Sequence, residues 1–208
     1  MTIDEDIADL LSARLLREPP SVSPAEELVP DWDPQKPFSR PPVPAAVLIA
    51  LVRRPEGHTI LYTERSPDLR AHSGQVAFPG GKVDSSDVSI AATALREANE
   101  EVGMVPGDAT ILGYMPTYFT GTNYLITPVV AEVTPSGPFV PNPGEVHSVF
   151  EVPLSRILDS TAYGTFRISR AGKEHTTWQI DHDGHTIWGI TANLTRKFRD
   201  LAMGEVLP

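Results

Sequence analysis

The stretch LREANEEVGM, residues 95–104, sets Arg96 beside Glu97 and follows with Glu100 and Glu101. On a helix, side chains three and four apart share a face, so the three glutamates fall within one arc of roughly 100°. Like-charged pairs at that spacing cost about 0.2–0.5 kcal/mol each, and Arg96, four residues before Glu100, is the local cation that offsets them. A divalent ion would offset far more. Carboxylate and water oxygens in octahedral geometry suit Mg²⁺ or Mn²⁺, with substrate phosphates completing the shell. Glu97 and Glu101, one turn apart, are the natural ligand pair, and Glu100 is a ligand to a second ion or a base. Taken alone, the same pattern also describes the wetted side of an amphipathic helix.

Positioning these groups falls to the elements around them. Ser89 to Val102 reads as a helix whose other side, Ala91, Ala94, Leu95, Ala98 and Val102, buries against a sheet. Ahead of it, FPGG at 78–81 brings Gly80 and Gly81 to a turn where the backbone must run close to something or adopt unusual dihedrals. A glycine-rich turn feeding a helix with a carboxylate face is expected where backbone carbonyls and glutamates share a metal. Strands are expected at 45–51 and 59–64, joined by the turn RRPEGH, and again at 110–115, 124–133, 146–152, 165–170, 176–180 and 185–188. The last two are joined at Asp183-Gly184. Thr191 to Met203 closes the chain as a helix with Thr191 as N-cap. This order implies an α/β domain over 42–208, a mixed sheet with helices on its faces. Ahead of it, residues 4–17 read as a short amphipathic helix and the proline-rich 18–44 as an arm that packs on the domain or on a second subunit.

Composition narrows the chemistry. Of 208 residues 27 are acidic and 17 basic, and the net charge of −10 repels a long polyanion, so a nucleic-acid partner is excluded. A phosphate-bearing small molecule must instead meet local arginines or a bound cation. Cysteine is absent, which rules out disulfides, thiolate zinc sites and a cysteine nucleophile. The acidic start MTIDEDIADLL is unlike a basic leader, and no apolar run approaches the ~20 residues of a membrane span, so a cytoplasmic protein with no membrane partner is expected. GGKVD lacks the earlier glycine and the following Ser/Thr of a P-loop. His175, His182 and His185 lie about the Asp183-Gly184 turn without a carboxylate at ligand spacing, and read as polar decoration of a hairpin rather than zinc ligands.

Two motifs together carry a family resemblance. Gly81, Asp87 and Arg96-Glu97-Ala98-Asn99-Glu100-Glu101-Val102-Gly103-Met104 resemble the signature box of the Nudix hydrolases, which cleave diphosphates linked to another moiety. The box departs from the family pattern at Asp87, which replaces a glutamate, in a spacer to Arg96 of eight residues rather than seven, and in the small Ala98 at an aliphatic position. Leu61-Tyr62-Thr63-Glu64-Arg65-Ser66, Arg70, Gly74 and Phe78-Pro79-Gly80-Gly81 resemble the additional motif of the coenzyme A pyrophosphatase subgroup, with only Tyr62 differing.

The resemblance implies a Nudix-type α/β/α sandwich with a mixed β-sheet. It also implies attack of water on the diphosphate of coenzyme A or a derivative, giving 3',5'-ADP and 4'-phosphopantetheine or its acyl form. Glu97 and Glu101 would hold Mg²⁺ or Mn²⁺, Glu100 would be a further ligand or the proton acceptor, and Arg96 would orient a neighbouring glutamate. Glu145, on a turn entering the 146–152 strand, would add a carboxylate to the metal cluster or act as base. Arg65 and Arg70 would meet the 3'-phosphate or the diphosphate with bidentate guanidinium contacts. Gly80 and Gly81 would bring backbone to the substrate, and Lys82 is a weaker candidate of the same kind as the arginines. Tyr118, Phe119 and Tyr124 are candidates for an adenine or pantetheine wall, although strand aromatics are more often core. Two other readings stay open: a Nudix hydrolase for ADP-ribose or NADH, and a non-catalytic nucleotide-sensing module. The arm also leaves a homodimer open.

Overall fold

The computed structural model describes residues 7–21, 38–67, 74–170 and 173–205. In chain order the elements are α1 (Ile7–Arg14), β1 (Val43–Arg54), β2 (Gly57–Arg65), β3 (Val76–Ala77), β4 (Gly80–Lys82), α2 (Ile90–Val102), β5 (Ala109–Tyr114), β6 (Tyr118–Phe119) and β7 (Tyr124–Val133). They continue with β8 (Val146–Pro153), α3 (Leu154–Leu158), β9 (Tyr163–Arg170), β10 (Lys173–His182), β11 (His185–Trp188) and α4 (Gly189–Met203). Most of the arm, and Arg70, lie outside the described residues.

The apolar run of β1 suits a strand covered on both faces. It pairs parallel with β7 from Val43 opposite Tyr124 to Val52 opposite Val133, and antiparallel with β2 and β4, so the sheet is mixed. Alternation along β1 sends Ala46, Leu48, Ala50 and Val52 to one face and Ile49 and Leu51 to the other. The first face sets Ala46 and Ala50 between its larger side chains. Ala131 continues it, and Ala94 and Ala98 of α2 pack against it, so this helix can lie close to the strands. The second face is bulkier. There Ile60, Tyr62 and Val130 meet Phe198 and Leu201 of α4, Ile180 and Ile187 of the small sheet β9–β11, and Ile7, Leu11 and Leu15 from the N-terminal segment. Helices on both faces of a mixed sheet make the expected α/β/α sandwich.

Helix α2 is closed at both ends. The Ser89 hydroxyl accepts from Ala92 N–H at 3.1 Å, and Gly103 at φ 67° turns the chain out in the left-handed conformation that glycine tolerates. Helix α1 is bound to the C-terminus of α4. Arg14 Nη1 donates to the carbonyls of Leu201 and Ala202 at 3.1 and 2.5 Å, the end of a helix where positive charge is favoured.

The segment carrying FPGG is an inserted strand. Over Gly57–Ile60, β2 pairs with β1, but at Thr63 and Glu64 it pairs with β3, while β8 follows its other edge. β4 then pairs with the beginning of β1 at Ala45–Val47, and the Pro79 carbonyl accepts from Leu48 N–H at 2.8 Å. The chain from Val76 to Lys82 therefore fills the gap between the diverging ends of β1 and β2.

Four local expectations change. Gly80 and Gly81 lie not on a turn but in β4, held there by pairing with Val47 and Ala46. Thr191 is not the N-cap of α4: the helix begins at Gly189, whose φ of 66° turns the chain straight out of β11, and the Thr191 hydroxyl donates instead to the Val76 carbonyl at 2.8 Å. The first helix ends at Arg14 because Leu16 leaves it to pair with Tyr114. The short helix α3 follows Pro153, where the sequence showed only the end of a strand. Among the described residues no helix is long and apolar enough to cross a membrane.

Candidate active site

The inserted strand and α2 meet through glycine. A Cβ on Gly80 would fall on the carbonyl oxygen of Ala46, and one on Gly81 would come within 2.5 Å of the Glu97 carboxylate, so neither position has room for a side chain. Gly80 N–H donates to Glu101 Oε2 at 3.3 Å. From the end of β2, Arg65 places Nη1 3.9 Å from Glu101 Oε1. Glu101 is 3% exposed, and its burial pushes the carboxyl up to about 7. The Gly80 N–H and the Arg65 charge oppose that rise, while the charges of Glu97 and Glu145 add to it. Glu97 is raised too, by burial first, with Arg96 opposing and Glu100 and Glu145 adding.

Arg96 is the hub of the helix face. Its Nε and Nη2 donate to the two oxygens of Asp87 at 2.9 and 3.0 Å, its Nη1 to Glu97 Oε1 at 2.9 Å and Glu100 Oε2 at 3.2 Å, and its Nη2 also to the Lys82 carbonyl at 3.2 Å. The bond to Glu100 is the simple i,i+4 pair visible in the sequence. The rest is not. Asp87, whose side chain is 4% exposed, also accepts from the Thr93 hydroxyl at 2.8 Å and from Asp84 N–H at 2.9 Å. Arg96 first, and then the backbone of Asp84, hold the Asp87 carboxyl well below the usual carboxylate range. Sequence reasoning left Asp87 without a role; its place in the box ahead of Arg96 was the one signal available.

The three glutamates do not play equal parts. Glu97 and Glu101 turn to the glycine strand, whereas Glu100 is 52% exposed and bound to Arg96. Glu145 is exposed on its turn, tied to the end of β2 by Ser66 N–H donating to its carbonyl at 2.9 Å, and its charge acts on both Glu97 and Glu101. Among the described residues, Arg65 Nε is buried without a hydrogen-bond partner. The Lys82 ammonium rests 5.9 Å from the centre of the Tyr124 ring. Tyr118 and Phe119 are buried, the first accepting from Asn193 at 2.9 Å and the second packed edge-on against Phe38. His185 is more than decoration: its ring stacks on Phe150 at 3.9 Å and lies 3.5 Å from Glu64.

The donor chemistry suits a hard divalent ion. Two desolvated carboxylates face a glycine backbone where a Cβ would fill the space, and the cation nearest Glu101 is an arginine 3.9 Å away. Among the described residues no three His, Asp or Glu side chains converge tightly enough to hold an ion by themselves. Glu97 and Glu101 would be the two carboxylates available to an ion here, and water or phosphate oxygens of a substrate would complete its shell.

The family model of the NUDIX domain matches residues 42–171. The chain belongs to the Nudix family. It is 44% identical over 153 residues, 74% of this chain and 79% of the relative, to the Uncharacterized Nudix hydrolase NudL of Escherichia fergusonii, and equally so to its namesake in Shigella boydii serotype 18. Among solved structures it resembles the Nudix hydrolase RenU of M. smegmatis, with a TM-score of 0.53 and 19% identity over 81% of this chain and 91% of that one, a likeness of fold. The protein is thus a Nudix hydrolase of nucleoside diphosphate derivatives, and the α2 box is the family's box on the family's fold. Nudix hydrolases generally use divalent ions such as Mg²⁺ or Mn²⁺.

Proposed function

We propose that this Nudix hydrolase cleaves the diphosphate of coenzyme A or its derivatives, releasing 3',5'-ADP and 4'-phosphopantetheine or its acyl form. The observation that carries this reading is the meeting of Arg65 with Glu101. Arg65 belongs to the motif shared with the coenzyme A pyrophosphatase subgroup, and its buried, unpartnered Nε is a donor that a phosphate oxygen would satisfy.

Glu97 and Glu101 would hold the ion, which when bound neutralises diphosphate charge and lowers the pKa of water. Arg96 keeps the Glu97 carboxylate against Gly81. Gly80 makes room for β1 and Gly81 for the Glu97 carboxylate, and Arg65, joined by Arg70, orients the phosphates. Water attacks one phosphorus, the bridging oxygen leaves, and the proton passes to Glu100 or Glu145. The supporting fact for both acceptors is their charge acting on Glu97. A small-molecule substrate and a cytoplasmic site of action complete the reading.

The test is incubation of the purified chain with Mg²⁺ and, in parallel, coenzyme A, ADP-ribose and NADH, with products resolved by mass. Preferential release of 3',5'-ADP is expected. Equal or greater turnover of ADP-ribose would overturn the assignment.

A further inference from the structure

A cavity of about 310 Å³ lies between α4 and the small sheet. Asn193, Arg196, Lys197 and Asp200, spaced as one face of α4, look across at Thr165, Thr176 and Trp178. The Arg196 guanidinium lies over Trp178, 3.7 Å from the ring centre, with Nε 3.8 Å from Asp200. Asp200 shares Arg199, at 2.7 Å, with Glu205, so the cavity's one carboxylate is only partly compensated there and the Arg196 and Lys197 charges outnumber it. Asn193 is spent, donating to Tyr118 and accepting from Thr177, both at 2.9 Å. The Lys197 ammonium and the Thr165 and Thr176 hydroxyls have no side-chain partner among the described residues. In a chain of net charge −10, two cations and two open hydroxyls in one cavity form a local oxyanion site.

Strand register relates this cavity to the carboxylates. Lys82 is opposite Ala45, Ala45 opposite Ile126, and Ile126 opposite Tyr118, which lines the cavity. Three strand spacings put it roughly 14 Å from the glycine strand, at the same end of the sheet but on the α4 face. A phosphate one sugar away from the diphosphate does not reach that far, whereas a long flexible arm does. We propose that this cavity receives the far end of the substrate's non-nucleotide arm and selects arms that end in a carboxylate. The proposal rests on the coenzyme A reading above.

The experiment compares kcat/KM for succinyl-coenzyme A and acetyl-coenzyme A in the wild type, in Lys197→Glu and in the double variant Arg196→Ala, Lys197→Ala. The wild type is expected to favour the succinyl thioester about tenfold, the scale of one charge-assisted hydrogen bond, with the ratio near one in the double variant and inverted in Lys197→Glu. Lys197 has no side-chain hydrogen bond or ion pair among the described residues, so Lys197→Glu stands even if loss of Arg196 from Trp178 upsets the fold. A wild-type ratio of one, or a ratio that the substitutions leave unmoved, overturns the proposal. If neither thioester is hydrolysed, the coenzyme A reading fails, and calorimetric titration with S-succinyl-pantetheine then judges the cavity separately. Saturable binding lost in Lys197→Glu upholds it. Absent binding, or full displacement of the fragment by equimolar inorganic phosphate, overturns it.

Discussion

Asp87 and Arg96 meet through two hydrogen bonds, at 2.9 and 3.0 Å, across the turn that enters α2. The pair locks the guanidinium in place, and the same guanidinium then holds Glu97 and Glu100. Asp87 thus acts on Glu97 and Glu100 through Arg96, without touching either glutamate. Asp87→Asn should free Arg96 and lower activity or metal affinity about 10–100-fold, as is usual for groups behind a metal ligand. The measurement is the Mg²⁺ dependence of turnover: a purely structural role would lower the folded fraction and leave the half-saturating Mg²⁺ concentration where it was. Asp87→Glu should restore most of the loss.

The two glycines should fail differently. Gly81→Ala forces the Glu97 carboxylate aside and is expected to cost about a hundredfold or more in turnover, as Glu97→Gln should, with little loss of stability. Gly80→Ala meets the backbone of β1 instead and should destabilise the fold by about 1–3 kcal/mol in urea denaturation. Unchanged diphosphate hydrolysis by Glu97→Gln would remove the metal assignment.

Acid should weaken one tie between β1, β2 and β8. Burial alone would raise the Glu151 carboxyl, but hydrogen bonds from Arg54 and Thr59, with the Arg54 charge, hold it below the usual value. A depressed carboxyl stabilises the fold above its unfolded pKa of about 4.3, and the contribution fades as pH falls through the lower folded value. With Arg54 34% exposed, screening keeps the gain near about 1 kcal/mol. Wild type and Glu151→Gln should therefore differ in unfolding free energy at pH 7 and converge as pH falls below the lowered folded value. A gap of constant size across that range would show that charge is not its source.

Helix α1 should behave as core. Leu11 is fully buried in the cluster with Phe198, and Leu11→Ala is expected to cost about 2–5 kcal/mol by denaturant unfolding. An arm that merely docks, or one that exchanges between two subunits, would show a smaller or a concentration-dependent loss.

The Nudix family was legible in the sequence because two motifs, over 61–81 and 81–104, match its pattern at many spaced positions. Glu97, Glu100 and Glu101 had to share a helix face because the helical period puts them there, and the long apolar run of β1 and the capped span from Ser89 to Gly103 had to be strand and helix because local propensity and caps agree. What spacing could not rank was the three carboxylates. Burial did that, sinking Glu101 to 3% exposure against the sheet and leaving Glu100 to solvent, and burial depends on where α2 lies rather than on its own pattern. The link from Asp87 to Arg96 was hidden because it closes across a loop that has no period. The docking of Arg14 on α4 joins residues 187 and 188 positions apart, a separation that no local pattern records. The sequence by itself therefore determined the main strands and helices and the family. Only the tertiary structure decided which carboxylates are desolvated, which arginine stands beside them and which glycine makes room, because each of these is a contact between segments that local rules treat as independent.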